Sequence, residues 1–240
     1  MKIIRVKNYQ ELSKKASEIF ISLLKEKPSA TLGLATGSSP IGLYQNLVKS
    51  YQNKEISFKN VKTFNLDEYC KLPKDHPESY YSFMYRNLFS HVDINKDNIH
   101  LPSGEAEDLQ EECLAYNNLL KNTLIDLQVL GIGSNGHIGF NEPGTPFKQE
   151  TFIVTLAQKT REDNKRFFNS LDEVPTQAIT MGINNIMQAK KIVLIASGKS
   201  KANAINKLVN GPLTEAFPAS ILQNHPDVTI IVDEEAASLL

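Results

Sequence analysis

Thr31-Leu32-Gly33-Leu34-Ala35-Thr36-Gly37-Ser38-Ser39-Pro40-Ile41 is the stretch on which the fold turns. Thr31 to Ala35 is a short apolar run, suited to a strand buried on both faces as in parallel sheets. Thr36 to Pro40 breaks that run with small and polar residues. A helical pattern then begins, with Tyr44, Leu47, Val48 and Tyr51 on one face. Pro40 suits the first helical position, where its missing N–H loses nothing. Strand, tight loop and helix make half of a βαβ unit.

The same grammar extends in both directions. Upstream, Leu12, Ala16, Ile19, Phe20, Leu23 and Leu24 recur at helical spacing, with Asn8 and Glu11 placed as a capping pair and Pro28 as the stop. Downstream, Val61 to Asn65 reads as a strand and Ser79 to Phe89 as an aromatic-rich helix. Leu109 to Leu120 reads as a helix and Leu127 to Gly131 as a strand. Lys191 to Ala196 is a strand, Ala202 to Val209 a helix, and Val228 to Val232 the last strand. Alternation of this kind implies a mainly parallel sheet covered by helices on both faces. The 240 residues could hold one large domain or two small ones. No Pro/Gly/Ser-rich linker or internal repeat divides them, so one domain, residues 1–240, is expected.

Composition narrows the partners. Twenty-six Lys and Arg against 27 Asp and Glu leave a net charge of −1, which argues against nucleic acid or an anionic membrane as the partner. The longest apolar runs are about as long as Ile192 to Ala196, too short to span a bilayer. Cys70 and Cys113 have no C-x-x-C spacing, and no secretory signal precedes them, so a reducing, cytoplasmic setting is expected. His76, His91, His100 and His225 lack metal-ligand spacing. The aromatic group Tyr80, Tyr81, Phe83 and Tyr85 is expected to pack in the core.

In parallel α/β sheets, ligands bind at the loops leaving the carboxyl ends of the strands. Thr36-Gly37-Ser38-Ser39 is one such loop. The unpaired N–H groups and partial positive charge of the helix start would attract a phosphate, with hydroxyls from Thr36, Ser38 and Ser39. The plainer alternative is that Ser39 simply caps the helix. Ser197-Gly198-Lys199-Ser200-Lys201 occupies the same position later. Its Gly-Lys-Ser lacks the earlier glycine of a Walker A loop, Val193 standing there. Gly131-Ile132-Gly133-Ser134-Asn135-Gly136 matches a dinucleotide fingerprint in letters only, because it runs into His137-Ile138-Gly139-Phe140-Asn141-Glu142-Pro143-Gly144 and opens no long helix. His137 and Glu142 in that glycine-framed loop, with Asp67 and Glu68 after another strand, suggest proton transfer on a phosphorylated metabolite.

Taken together, Ala35 to Ser38, Asn65 to Tyr69, Gly131 to Gly133, Gly136 to Pro143, and Ser220 to Gln223 with His225-Pro226 resemble the glucosamine-6-phosphate deaminase family. The match runs in order along essentially the whole chain, and its His-Ile-Gly-Phe-Asn-Glu-Pro stretch is highly specific. The resemblance implies a modified Rossmann-like, three-layer α/β/α fold. It also implies conversion of D-glucosamine 6-phosphate to D-fructose 6-phosphate and ammonia, without metal or organic cofactor. By the same resemblance Asp67 takes the C2 proton and delivers it to C1, while His137 assists ring opening, oriented by Glu142. Thr36, Gly37, Ser38 and Lys201 bind the phosphate, with Gly133 beside the substrate. Arg166 sits on a mobile lid around residues 150–175.

Two departures from the family pattern stand out. Many relatives have Asp where this chain has Asn135; asparagine cannot support a histidine's charge but can orient its ring. Allosteric members bind N-acetylglucosamine 6-phosphate at a subunit interface through basic residues, and Phe152 and Val154 align where such charges are expected. With the chain ending soon after its last strand, hyperbolic kinetics and a monomer are expected, although a homo-oligomer stays open. The rivals are 6-phosphogluconolactonase, whose loop lacks the Phe-Asn-Glu-Pro continuation, and a non-catalytic sugar-phosphate sensor.

Overall fold

Four strands made almost wholly of apolar residues dictate the architecture. Thr31–Leu34 (β2), Leu127–Leu130 (β6), Ile192–Ala196 (β9) and Val228–Asp233 (β10) are buried along their full length, so both faces of the sheet are covered. The computed structural model describes residues 1–158, 161, 162, 165 and 168–240. With Lys2–Val6 (β1), Lys62–Asn65 (β3) and Ile99–His100 (β5), these strands form a seven-stranded sheet in the order β1-β10-β9-β6-β2-β3-β5, and every pairing is parallel. β1 was not among the expected strands, because charges interrupt its apolar residues; it lies at the sheet edge with an exposed and half-exposed pattern.

The helices begin and end where local chemistry directs. Tyr9–Glu26 (α1) is capped by Asn8, whose Oδ1 accepts from the Glu11 amide at 3.0 Å, while Glu11 Oε2 accepts from the Lys7 amide at 3.0 Å. Ile41–Gln52 (α2) starts after Pro40 with no side-chain cap, so Ser39 is not the helix cap. Tyr80–Asn87 (α3) is capped by Ser79 and Leu109–Lys121 (α4) by Asp108. Ile183–Met187 (α5) and Ala202–Asn210 (α6) complete the helices discussed below. No helix among the described residues is long and apolar enough to cross a membrane.

A second, antiparallel sheet departs from the strand-and-helix alternation. Asp67–Tyr69 (β4), Gln177–Thr180 (β8) and Phe152–Thr155 (β7) pair in the order β4-β8-β7. The Asp67 segment is therefore a strand and not a loop. Leu66 is the transfer point: its N–H donates to Leu34 of the large sheet at 3.0 Å, and its carbonyl accepts from Met181 at 2.6 Å. Of the stretch expected to form a lid, Phe152–Thr155 is a paired strand; residues 150 and 151 precede it, and the described residues from 156 to 175 lie between β7 and β8.

Candidate active site

β9, β6, β2 and β3 are consecutive neighbours in the sheet, so the loops leaving their carboxyl ends converge. They enclose a cavity of about 550 Å³, within the range for a small-molecule site. Thr36, Gly37, Ser38, Gly133 and Lys201 line it, together with Asp67 and His137. A larger hollow of about 640 Å³ lies by the C-terminal ends of α1 and α2; its charged groups are Lys25, Lys54 and Glu55, and it receives none of these loops.

Strand alternation separates the two carboxylates of Asp67-Glu68. Asp67 reaches the cavity and is buried; burial, reinforced by the neighbouring Glu68 charge, pushes its carboxyl up to about 8. Glu68 turns to α3, where its carboxylate accepts from the amides of Tyr69, Tyr80 and Tyr81 at 2.8, 2.9 and 2.8 Å. Burial still raises the Glu68 carboxyl, although those bonds favour its charge. Glu68 thus fixes the start of α3 to the strand bearing Asp67. That anchoring brings Tyr80 and Phe83 to the cavity wall, with Arg86 and Asn87 at the same lining. Tyr80, Phe83 and Tyr85 pack against the core as expected, the first two also facing the cavity, while Tyr81 packs on Tyr85 outside the core clusters, centroids 4.5 Å apart. Alternation could have separated Asp67 from Glu68, but it gave no sign of where α3 would dock.

The histidine loop is shaped by two glycines. A Cβ on Gly133 would overlap the His137 ring, and one on Gly136, where φ is +88°, would overlap Phe217. Phe217 leads into a 3-10 turn, Pro218–Asn224, whose Ala219 amide donates to Gly136 O at 2.9 Å. The Ser220 and His225 motif is structural: Ser220 Oγ bonds Thr214, and His225 Nε2 contacts Ala189 O at 2.7 Å. The loop is also tied to β8, since Phe140 N–H donates to Thr180 Oγ1 at 3.1 Å and Thr180 faces Asp67 across the small sheet.

His137 Nδ1 lies 3.7 Å from Glu142 Oε1, and Glu142 Oε2 accepts from Asn135 Nδ2 at 2.6 Å. Asn135 Oδ1 accepts from the His137 backbone N–H at 3.2 Å. Asn135 therefore acts on the Glu142 carboxylate and on the loop backbone, rather than on the imidazole ring as expected. Glu142 and Asn135 stand behind the histidine, outside the cavity lining. Lys201 Nζ donates to Ile132 O at 2.8 Å, which ties the second helix-start loop to the histidine loop. Asp233 holds that second loop from below, accepting from Ser197 Oγ and from Gly198 N–H at 3.0 Å. Arg166 lies outside the described residues. Among the described residues, no group of three or more His, Cys, Asp or Glu side chains is placed to hold a metal ion.

A strand-end cavity with a buried carboxylate, a carboxylate-backed histidine and hydroxyl- and amide-lined helix starts defines a sugar-phosphate enzyme of the α/β class. The chain belongs to the family of glucosamine-6-phosphate isomerases and 6-phosphogluconolactonases, whose family model matches residues 6–231. It is 57% identical to a glucosamine-6-phosphate deaminase of Thermoanaerobacter pseudethanolicus, covering all of this chain and 95% of the relative. It is 56% identical to one of Clostridium novyi, covering both chains fully. A solved monomeric glucosamine-6-phosphate deaminase superposes with a TM-score of 0.98 at 49% identity over the whole of both chains. A 6-phosphogluconolactonase from Trypanosoma brucei reaches 0.82 at 20% identity, covering 100% of this chain and 98% of that one, a likeness of fold alone.

Proposed function

We propose that this protein converts D-glucosamine 6-phosphate to D-fructose 6-phosphate and ammonia. The observation that carries the reading is the meeting of Asp67 with the His137–Glu142 pair across a cavity also lined by Thr36, Gly37, Ser38 and Lys201. The full-length identity to deaminases, set against only fold-level likeness to lactonases, favours this chemistry.

The amides and hydroxyls of Thr36 to Ser38, with the Lys201 ammonium, would hold the phosphate and supply binding energy remote from the reacting carbons. His137, backed by Glu142, would move the proton that opens the pyranose ring. Asp67 would then remove the C2 proton from the open-chain aldehyde, giving an enol-amine, and return a proton to C1. Water adds to the resulting C2 imine and ammonia leaves, so the net reaction takes up one water and is hydrolytic in sum. A carboxylate on a firm strand suits a base that must reach two adjacent carbons. A substrate ammonium at C2 would favour the ionised form of Asp67, offsetting the burial that raises it. Gly133 keeps space for the imidazole beside the sugar, and no cofactor enters the scheme.

The same reading takes the protein as a monomer acting on a small sugar phosphate, as the 0.98 superposition on a monomeric deaminase supports. The buried thiols of Cys70 and Cys113 fit a reducing, cytoplasmic setting. Incubating the pure protein with glucosamine 6-phosphate should release ammonia and fructose 6-phosphate in equal amounts. Hydrolysis of 6-phosphogluconolactone with no ammonia would select the lactonase instead, and binding without turnover would select a sensor.

A further inference from the structure

Two tyrosine hydroxyls, from different helices, grip the Thr36–Pro40 loop at its two ends, and neither belongs to the cavity lining. Tyr44, in α2 and fully buried, donates to Ala35 O at 2.6 Å and accepts from Ala35 N–H at 3.2 Å. Tyr9, the first residue of α1, accepts from Gly42 N–H at 2.9 Å. Its hydroxyl oxygen also lies 3.0 Å from Ser38 O and 3.2 Å from Ser39 O, to which its proton is shared.

Peptide planarity turns these contacts into control of the loop's donors. Fixing the Ala35 carbonyl fixes the opposed N–H of Thr36, and fixing the Ser38 carbonyl fixes the N–H of Ser39. Held in this way, the two carbonyls fix the Thr36 and Ser39 amides at the two ends of the loop. The Gly42 amide, one of the orphan donors of the α2 start, is consumed by Tyr9 and so is not offered to a ligand. Gly42 makes the grip possible: a Cβ there would overlap Ser13 Oγ and come 3.2 Å from Tyr9 Oη. Gly37, by contrast, sits at φ +89° with no atom within 4 Å of a built Cβ, so nothing packs against that side of the glycine.

We infer that Tyr9 and Tyr44 are positioning residues that preorganise the Thr36–Ser39 amides for an anion, so that phosphate affinity is set partly by a hydroxyl on α1 outside the site. The inference rests on reading this loop as the phosphate site. Tyr9→Phe removes only the hydroxyl of a half-exposed ring, which makes it a cleaner probe than Tyr44→Phe, where a buried amide and carbonyl would both lose their partner. The test is calorimetric titration of wild type and Tyr9→Phe with inorganic phosphate, alongside steady-state kinetics with glucosamine 6-phosphate. Phosphate Kd and KM should rise together by about 3- to 10-fold, the worth of one hydrogen bond, with kcat changed less than about twofold because the reacting groups are untouched. A Tyr9→Phe protein with wild-type Kd and KM overturns the inference, whatever happens to its melting temperature. Wild type that binds no phosphate would instead remove the phosphate-site reading, and the inference with it.

Discussion

Asp67 shows how one residue's surroundings set both chemistry and stability. Its carboxyl is held up to about 8 by burial and by Glu68, against about 4 in an unfolded chain. In its proposed role as the base it must be ionised, so kcat/KM should climb through about pH 8 and level off above it. The stability effect has the opposite sense. Between those two values the unfolded chain has shed a proton that the folded protein keeps, so this group's contribution falls as pH rises and levels off above about 8. Asp67→Asn removes that penalty. Thermal melts should find the variant more stable than wild type, by a margin that grows from about pH 5 to about pH 8; a margin that is flat or reversed would contradict the account. The residue types were legible in sequence, but the division of labour between Asp67 and Glu68 was not. It depends on β4 pairing with β8 and on α3 seating its first amides on Glu68.

At the scale of elements, the site is made by loops whose shapes are fixed from outside. The Gly131–Gly144 loop takes its form from Phe217 packing under Gly136, from Thr180 bonding Phe140, and from Asn135 linking Glu142 to the His137 backbone. Gly133 tests this most simply, since a Cβ there would overlap the imidazole. Gly133→Ala should move His137 and lower kcat by about 10- to 100-fold, the cost of an ångström-scale misplacement, while phosphate affinity stays within about threefold. Equal losses in both would point to collapse of the whole cavity instead. The strand–loop–helix units were readable because apolar runs and helical periods are local signals. The small antiparallel sheet was not, since β4 has only three residues, includes two carboxylates and finds its partner over a hundred positions away. That Tyr80 and Phe83 face the cavity as well as the core was hidden for the same reason: periodicity marks an apolar face without revealing that a cavity lies beside it.

The whole molecule is one α/β unit in which Thr36, Asp67, His137 and Lys201 gather in one cavity at the carboxyl end of its large sheet. A net charge of −1 says nothing of an anionic substrate, because the proposed attraction is local, to helix starts and to Lys201 in the cavity lining. Phe152 and Val154, where effector-binding charges are expected in allosteric members, pack with Tyr69 and Phe140 in the core of the small sheet. Rate against glucosamine 6-phosphate concentration should therefore be hyperbolic and unaffected by N-acetylglucosamine 6-phosphate; a sigmoidal curve relieved by that compound would refute this. The order of motifs along the chain made the family legible from sequence, whereas the positions that tie the loops together lie far apart in the chain and emerged only in three dimensions. The most direct measurement compares ammonia release from glucosamine 6-phosphate by wild type and by Asp67→Asn at matched, folded concentrations. Wild type should yield one ammonia per fructose 6-phosphate, and the variant should be slower by about 10²- to 10⁴-fold while still binding phosphate. Near-wild-type release by the variant, or none by wild type, would contradict the account.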